Sequence, residues 1–245
     1  MTIIGIIPAR YASTRFPGKP LVDIGGKSMI QRVYEQAKKS KQLSEVIVAT
    51  DDKRIEQHVK AFNGKVVMTS DQHQSGTDRC FEAMEVFSVK TDVVINIQGD
   101  EPFINPEQID EIASCFQTPD VQLATLVKKI NNDEELFNVN IPKVLLNKNK
   151  EAIYFSRQTI PFFRGKKQED WLKNHIYYKH IGIYAYRASI LREITALKPT
   201  TLELAEGLEQ LRWIENGYKI KVELTDYESV AVDVPDDLQK LKKFL

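Results

Sequence analysis

Ile3-Ile4-Gly5-Ile6-Ile7 runs directly into Pro8-Ala9-Arg10-Tyr11-Ala12-Ser13-Thr14-Arg15-Phe16-Pro17-Gly18-Lys19-Pro20. The first five residues form an uninterrupted apolar run of strand length, the kind buried on both faces of a parallel sheet. The loop behind it holds three cations (Arg10, Arg15 and Lys19), two small hydroxyls (Ser13 and Thr14) and a glycine between prolines. Backbone N–H groups in such a loop, helped by Arg forks and a Lys point charge, can cradle a polyphosphate. Basic loop residues are more often merely solvated. Three of them crowded at one strand end favour the phosphate reading.

Further apolar runs occur at Val46–Ala49, Val66–Met68 and Val93–Ile97. Met29, Ile30, Val33, Tyr34 and Ala37 recur with helical period, Arg79–Phe87 suits another helix, and Asn105-Pro106 is a good start for a helix burying Ile109, Ile112, Ala113 and Phe116. Alternation of this kind predicts an α/β fold with a mostly parallel central sheet covered by helices on both faces. A strand at Leu123–Val127 follows. Regularity then breaks down over 128–179, an expected insertion or lid, and returns with a strand at His180–Tyr186. Helices near Ser189–Ala196 and Glu203–Glu215, a strand at Lys219–Leu224 and a terminal helix after Pro235 complete the expectation. At 245 residues with 42% hydrophobic content, one main domain over 1–245 is expected.

The 34 basic and 34 acidic residues cancel, so no global field attracts nucleic acid or an anionic membrane, and any anion site is local. Cys80 and Cys115 lack CxxC spacing, which argues against zinc and for inert thiols. No run reads as a membrane span or as the apolar region of a signal peptide, so a cytoplasmic protein is expected.

Ligands of open α/β sheets bind beyond the carboxyl ends of the strands. Gly25-Gly26-Lys27-Ser28 resembles the end of a P-loop, but Leu21 stands where that pattern needs glycine, and no GxGxxG follows the first strand. After the third strand, the polar loop Thr69–Arg79 suits a base edge or sugar, while Ser75 or Thr77 could cap the next helix. After the fourth, Gln98-Gly99-Asp100-Glu101-Pro102 delivers a carboxylate to the sheet edge, and Gly99 is expected to let a ligand approach closely. Asp100 is the leading metal-ligand candidate, since Mg²⁺ needs only one or two protein carboxylates beside substrate phosphates. Asp233, amid alternating valines that suggest a short strand, is a second candidate, although by itself it reads as an N-cap. Asp236 and Asp237 suit a helix dipole.

Taken together and in order, Ile7–Leu21, Ala49-Thr50-Asp51-Asp52, His73–Arg79, Gln98–Pro102, Tyr154-Phe155-Ser156-Arg157, His180-Ile181-Gly182-Ile183-Tyr184, Leu208–Arg212 and Val232-Asp233 resemble the 3-deoxy-manno-octulosonate (Kdo) cytidylyltransferase family. The resemblance spans nearly the entire chain. It implies a Rossmann-like nucleotide-diphospho-sugar transferase fold, Mg²⁺ dependence, a homodimer, and the conversion of CTP and Kdo to CMP-Kdo and pyrophosphate for lipopolysaccharide synthesis. By position it implies that Arg10, Arg15 and Lys19 hold the triphosphate and that Gln74, Ser75 and Gly76 lie beside the cytidine. Gln98, Arg157, His180, Tyr184, Glu209 and Gln210 surround the sugar acid, and Asp100 and Asp233 bind magnesium. Lys19, Arg10, Asp100 and Asp233 carry the catalysis. The family often has Gly and Thr where Ala231 and Val234 stand here, and Asp236 occupies a frequent Glu position; Asp233 is retained. Without the resemblance, Tyr184 reads as a core residue and Arg157 as a structural partner of Glu209. The rival functions are transfer to sialic acid or 8-amino-Kdo, and a silent nucleotide-binding regulator.

Overall fold

The computed structural model describes residues 1–12, 15–228 and 230–244. Four parallel strands form the heart of the sheet: β1 (Ile3–Ala9), β2 (Glu45–Thr50), β3 (Val66–Met68) and β4 (Val93–Asn96), in the order β3-β2-β1-β4. Beyond β4 comes β8 (Tyr178–Arg187), antiparallel to its neighbours, then β5 (Leu123–Lys129) and β9 (Ile220–Leu224). Every strand on this path except β8 therefore runs in one direction.

Side chains alternate across a strand, and so do the two cores. Ile3, Ile7, Val46, Val48, Val93 and Ile95 face one way, against α1 (Met29–Ala37), α2 (Lys53–Ala61) and α4 (Pro106–Ser114). Ile4, Ile6, Ile47 and Val94 face the other, against α3 (Gly76–Phe87), α7 (Ala188–Thr195) and α9 (Gln210–Glu215). Fully burying each such Val or Ile contributes about 1.5–3 kcal/mol. Asn105 caps α4 in a reciprocal capping box with Gln108, as the Asn-Pro start predicted.

Helix α2 was not expected. Only Ile55 and Val59 are apolar and buried in it, and it starts on an Asp52 cap. The single helix expected over Glu203–Glu215 is two, α8 (Thr201–Glu206) and α9, because Gly207 adopts a left-handed φ of 61° and ends the first. The valines around Asp233 do not form a strand. Val230 and Val232 belong to an extended strap packed with Ile24, Met29 and Leu241, and the last segment, Pro235–Phe244, is 3₁₀ rather than α-helical.

Within 128–179 lie α5 (Asp133–Phe137), the antiparallel pair β6 (Lys143–Leu146) and β7 (Ala152–Ser156), and α6 (Trp171–Asn174). β6 joins the start of β8 through Lys143 and Lys179. Among the described residues, no helix is long and apolar enough to cross a membrane. Cys80 and Cys115 are buried free thiols, and burial raises the pKa of both, that of Cys115 to about 11, which keeps them protonated and unreactive.

Candidate active site

Because β1 to β4 are parallel, the loops after them open at one edge of the sheet. The reversed strand β8 begins at that same edge, since Asn96 at the end of β4 lies opposite Tyr184. The C-terminal strap returns there too: the Val232 N–H donates to the Asp100 carbonyl at 3.0 Å.

The loop after β1 is closed at its base. The Gly18 N–H donates to the Tyr11 carbonyl at 2.9 Å, and Gly18 holds φ 73°, where a Cβ would press on the Tyr11 ring at 3.2 Å. The outer face of that ring carries the Arg54 guanidinium, 3.3 Å from its centroid, and Asp52 binds this guanidinium in turn through Nε and Nη2. The loop hydroxyls of Ser13 and Thr14 lie outside the described residues.

This closure delivers Lys19 across the edge. Its Nζ donates to Asp100 Oδ2 and to the Val232 carbonyl, both at 2.8 Å, and the Lys19 and Asp100 side chains are only 16% and 26% exposed. Arg15 reaches Asp233 Oδ1 at 3.2 Å in the open. Two predicted phosphate cations thus meet the two predicted metal carboxylates. Arg10 is exposed at the end of β1.

Asp233 is not an N-cap. Its own N–H and that of Val234 donate to Asp237 Oδ2, at 2.8 and 3.0 Å, so Asp237 braces the strap instead of serving a helix dipole. Burial pushes the Asp237 pKa up, but the Lys240 ammonium and these two N–H groups outweigh it and bring the carboxyl to about 2. Gly99 also serves the backbone: a Cβ there would stand 2.7 Å from the Pro8 carbonyl, so glycine is required by the close approach of β1 and the β4 loop.

A second group of residues lies beside the first turn of α3. Ser75 is the helix cap, accepting from the Asp78 N–H, while Thr77 donates to Glu209 Oε2 at 2.9 Å. Burial raises the Glu209 pKa, and hydrogen bonds from Thr77 and Ser75 draw it partly back. Arg79, 1% exposed, ties α3 to the ends of β2 and β3 through Asp51 Oδ2 at 2.7 Å and Thr69 at 2.6 Å. A cavity of about 670 Å³ is lined by Gln74, Ser75, Asp78, Gly207, Glu209 and Arg212, whereas His180 lines a separate one of about 240 Å³ with Glu101, Lys179, Gly182 and Glu228. A crevice of about 500 Å³ beside Met84, Lys90 and Arg192 lies instead at the strand starts, away from these groups.

Gln210 Nε2 is a buried donor without an acceptor among the described residues. Tyr184 packs edge-on against Trp213 at 5.1 Å and tilts against His180 at 5.1 Å. Burial raises the Tyr184 pKa well above its usual value and holds that of His180 down at about 3, so the imidazole is neutral at pH 7. Gln98 is half-buried beside Gly182, where a Cβ would stand 3.8 Å from Gln98 Cγ. Arg157 does not pair with Glu209. Its backbone N–H donates to Glu206 Oε2 at 2.9 Å, and its guanidinium to the carbonyls of Glu206, Val139 and Gly207.

Thr125, which sequence reading passed over, binds His180, and Asn96 and Tyr186 place further buried polar groups beneath α3, beside Thr77. The available signal was a polar residue inside an apolar strand: Thr125 in Leu123–Val127 and Asn96 in Val93–Ile97.

The family model described as cytidylyltransferase matches residues 4–220. The chain is 62% identical to a 3-deoxy-manno-octulosonate cytidylyltransferase of Parabacteroides distasonis and 60% identical to one of Bacteroides thetaiotaomicron, in both cases over 100% of this chain and 98% of the relative. A solved CMP:2-keto-3-deoxy-manno-octonic acid synthetase complexed with CTP superposes with a TM-score of 0.92 at 41% identity, covering 100% of this chain and 98% of that one. On this evidence the chain belongs to the cytidylyltransferase family.

Proposed function

We propose that the protein is a 3-deoxy-manno-octulosonate cytidylyltransferase, which transfers CMP from CTP to Kdo and releases pyrophosphate. The observation that carries this reading is the junction at which Lys19 bridges Asp100 and the Val232 carbonyl, beside the Arg15–Asp233 pair. It supplies cations for a triphosphate and carboxylates for a divalent ion in one place. The relatives, 3-deoxy-manno-octulosonate cytidylyltransferases, support the choice of CTP and Kdo.

In this reading Arg10, Arg15 and Lys19 bind the triphosphate, and Gln74, Ser75 and Gly76 line the cytidine side. Gln98, Arg157, His180, Tyr184, Glu209 and Gln210 take the sugar acid. Asp100 and Asp233 fit Mg²⁺: both offer hard carboxylate oxygens, paired here with the Lys19 and Arg15 side chains, and one or two protein carboxylates suffice for that ion beside substrate phosphates. Held by Asp100 and Asp233, Mg²⁺ would offset the repulsion between the triphosphate and the sugar carboxylate and would lower the pKa of the attacking hydroxyl.

The 2-hydroxyl of Kdo attacks the α-phosphorus in line, and the pyrophosphate leaves. Lys19 and Arg10 stabilise the charge that gathers on it. Lys19 and Arg15 exchange their carboxylate partners for phosphate oxygens as CTP binds. Glu209, anchored by Thr77, and the buried Gln210 amide orient sugar hydroxyls, and no side chain is assigned as general base.

We read residues 1–245 as one domain whose segment 128–179 completes the site. Exposed Val139, Ile153, Phe162 and Ile176 in that segment support a homodimer, as apolar side chains for a second copy to cover. Two free thiols and a nucleotide triphosphate substrate fit the cytoplasm. Pyrophosphate release measured across the four nucleoside triphosphates and several 2-keto sugar acids tests the proposal. CTP with Kdo is expected to be the preferred pair; preference for sialic acid or 8-amino-Kdo would move the substrate assignment, and no release with any pair would end it.

A further inference from the structure

Thr125 sits fully buried in β5, a hydroxyl among Leu123, Ala124, Leu126 and Val127. The strand opposite is irregular: Thr125 pairs with Tyr184 but Leu126 pairs with Ile181, so Gly182 and Ile183 are left unmatched in a bulge. The bulge turns the Ile183 and Ile181 carbonyls toward Thr125 Oγ1, at 2.7 and 3.4 Å, and His180 Nε2 lies 2.9 Å from the same oxygen.

A hydroxyl carries one proton, and a carbonyl can only accept. Two oxygens 2.7 Å apart therefore need the Thr125 proton between them; turned to the imidazole, it would leave two lone pairs facing each other. Thr125 donates to Ile183 and accepts from His180, so His180 carries its proton on Nε2. In a neutral imidazole the other nitrogen, Nδ1, is then a bare acceptor. Phe155, edge-on at 5.4 Å, and Tyr184 hold the plane of the ring.

We propose that Thr125 is a positioning residue of the sugar-acid site: it fixes His180 as the Nε2–H tautomer, so that Nδ1 accepts a hydrogen bond from a hydroxyl of the sugar acid and the site selects a donor at that position. The inference rests on the assignment of His180 to the sugar acid and goes beyond it by naming the tautomer and the residue that sets it.

The test combines ¹⁵N NMR of the histidine ring in the full-length protein at neutral pH with steady-state kinetics, for the wild type, Thr125→Ser and Thr125→Val. Wild type and Thr125→Ser are expected to show Nε2–H. Thr125→Val is expected to lose that preference and to raise KM for the sugar acid on the order of tenfold, with KM for CTP changed by less than about twofold. An Nδ1–H tautomer in the wild type overturns the proposal, as does a Thr125→Val protein whose KM for the sugar acid is unchanged. If Thr125→Val does not fold, the wild-type and Thr125→Ser spectra decide the tautomer and the Thr125→Ser KM, expected near wild type, decides the rescue. The underlying assignment fails separately: His180→Ala with an unchanged KM for the sugar acid, beside a wild-type Nε2–H signal, removes the sugar contact and leaves only the Thr125 lock.

Discussion

Replacing Lys19 by Met separates what its ammonium does for the fold from what it does for the reaction. A unit-charge pair at 2.8 Å has a gross attraction of about 6 kcal/mol at an effective dielectric of about 20, most of it offset by desolvation. Measured net values for hydrogen bonds to charged groups are about 1.5–3 kcal/mol. Asp100 keeps a quarter of its side chain in solvent and can be rehydrated once unpaired, so a loss of about 1–2 kcal/mol is expected. For a domain of this size, that lowers Tm by about 2–8 °C. Loss of a preorganised cation at the phosphates should instead cost about 10²–10³ in turnover. Thermal melts beside initial rates at varied CTP give both numbers. Turnover within about tenfold of wild type at an unchanged KM for CTP would refute the triphosphate role, and a fall in Tm far beyond 8 °C would make the Lys19 bridge chiefly a structural one.

Other variants probe the supporting contacts. Arg79→Met strands Asp51 and Thr69 and should destabilise by about 3–5 kcal/mol in urea melts; a loss below about 1 kcal/mol would show the pair to be dispensable. Thr77→Val removes a donor that favours the ionised form of Glu209, so its already raised pKa should climb further and the acid limb of the pH profile for Kdo use should move to higher pH, while an unmoved limb would separate Glu209 from the sugar site. His180 has a folded pKa of about 3, below its unfolded value, so the unfolded state binds the extra proton between them. Stability is complete above about pH 6.5 and falls toward pH 3 by at most about 1.4 kcal/mol per pH unit. His180→Asn should flatten that limb of the stability curve, and an unchanged slope would contradict the burial of a neutral ring.

The sheet was legible because Val and Ile runs are too apolar to lie anywhere but between helices, and α1 and α4 because their buried faces recur with helical period. Strand direction is not written in such runs, so nothing in His180–Tyr186 announced that β8 is reversed. Helix α2 shows one apolar pair, Ile55 and Val59, among charged residues, too narrow a stripe to stand out. The break at Gly207 was available as a C-cap signal inside an otherwise continuous pattern. At the site, Lys19, Arg15 and Asp100 could be picked out by charge in the loops after strands and Asp233 only through the family resemblance, since its valines form no strand, and the structure brings the four together. The bracing contacts could not, because they join distant segments: Asp237 to the strap, Glu206 to Arg157, Thr77 to Glu209 and Thr125 to His180.

We place CMP transfer where Lys19 meets Asp100. Pyrophosphate release from CTP and Kdo, titrated with Mg²⁺ for the wild type and Asp100→Asn at matched folded concentration, tests it most directly. Magnesium-dependent release by the wild type is expected, with a loss of at least about 10²-fold for Asp100→Asn that added Mg²⁺ does not restore. Asp100→Asn turnover equal to wild type at every Mg²⁺ concentration would contradict it.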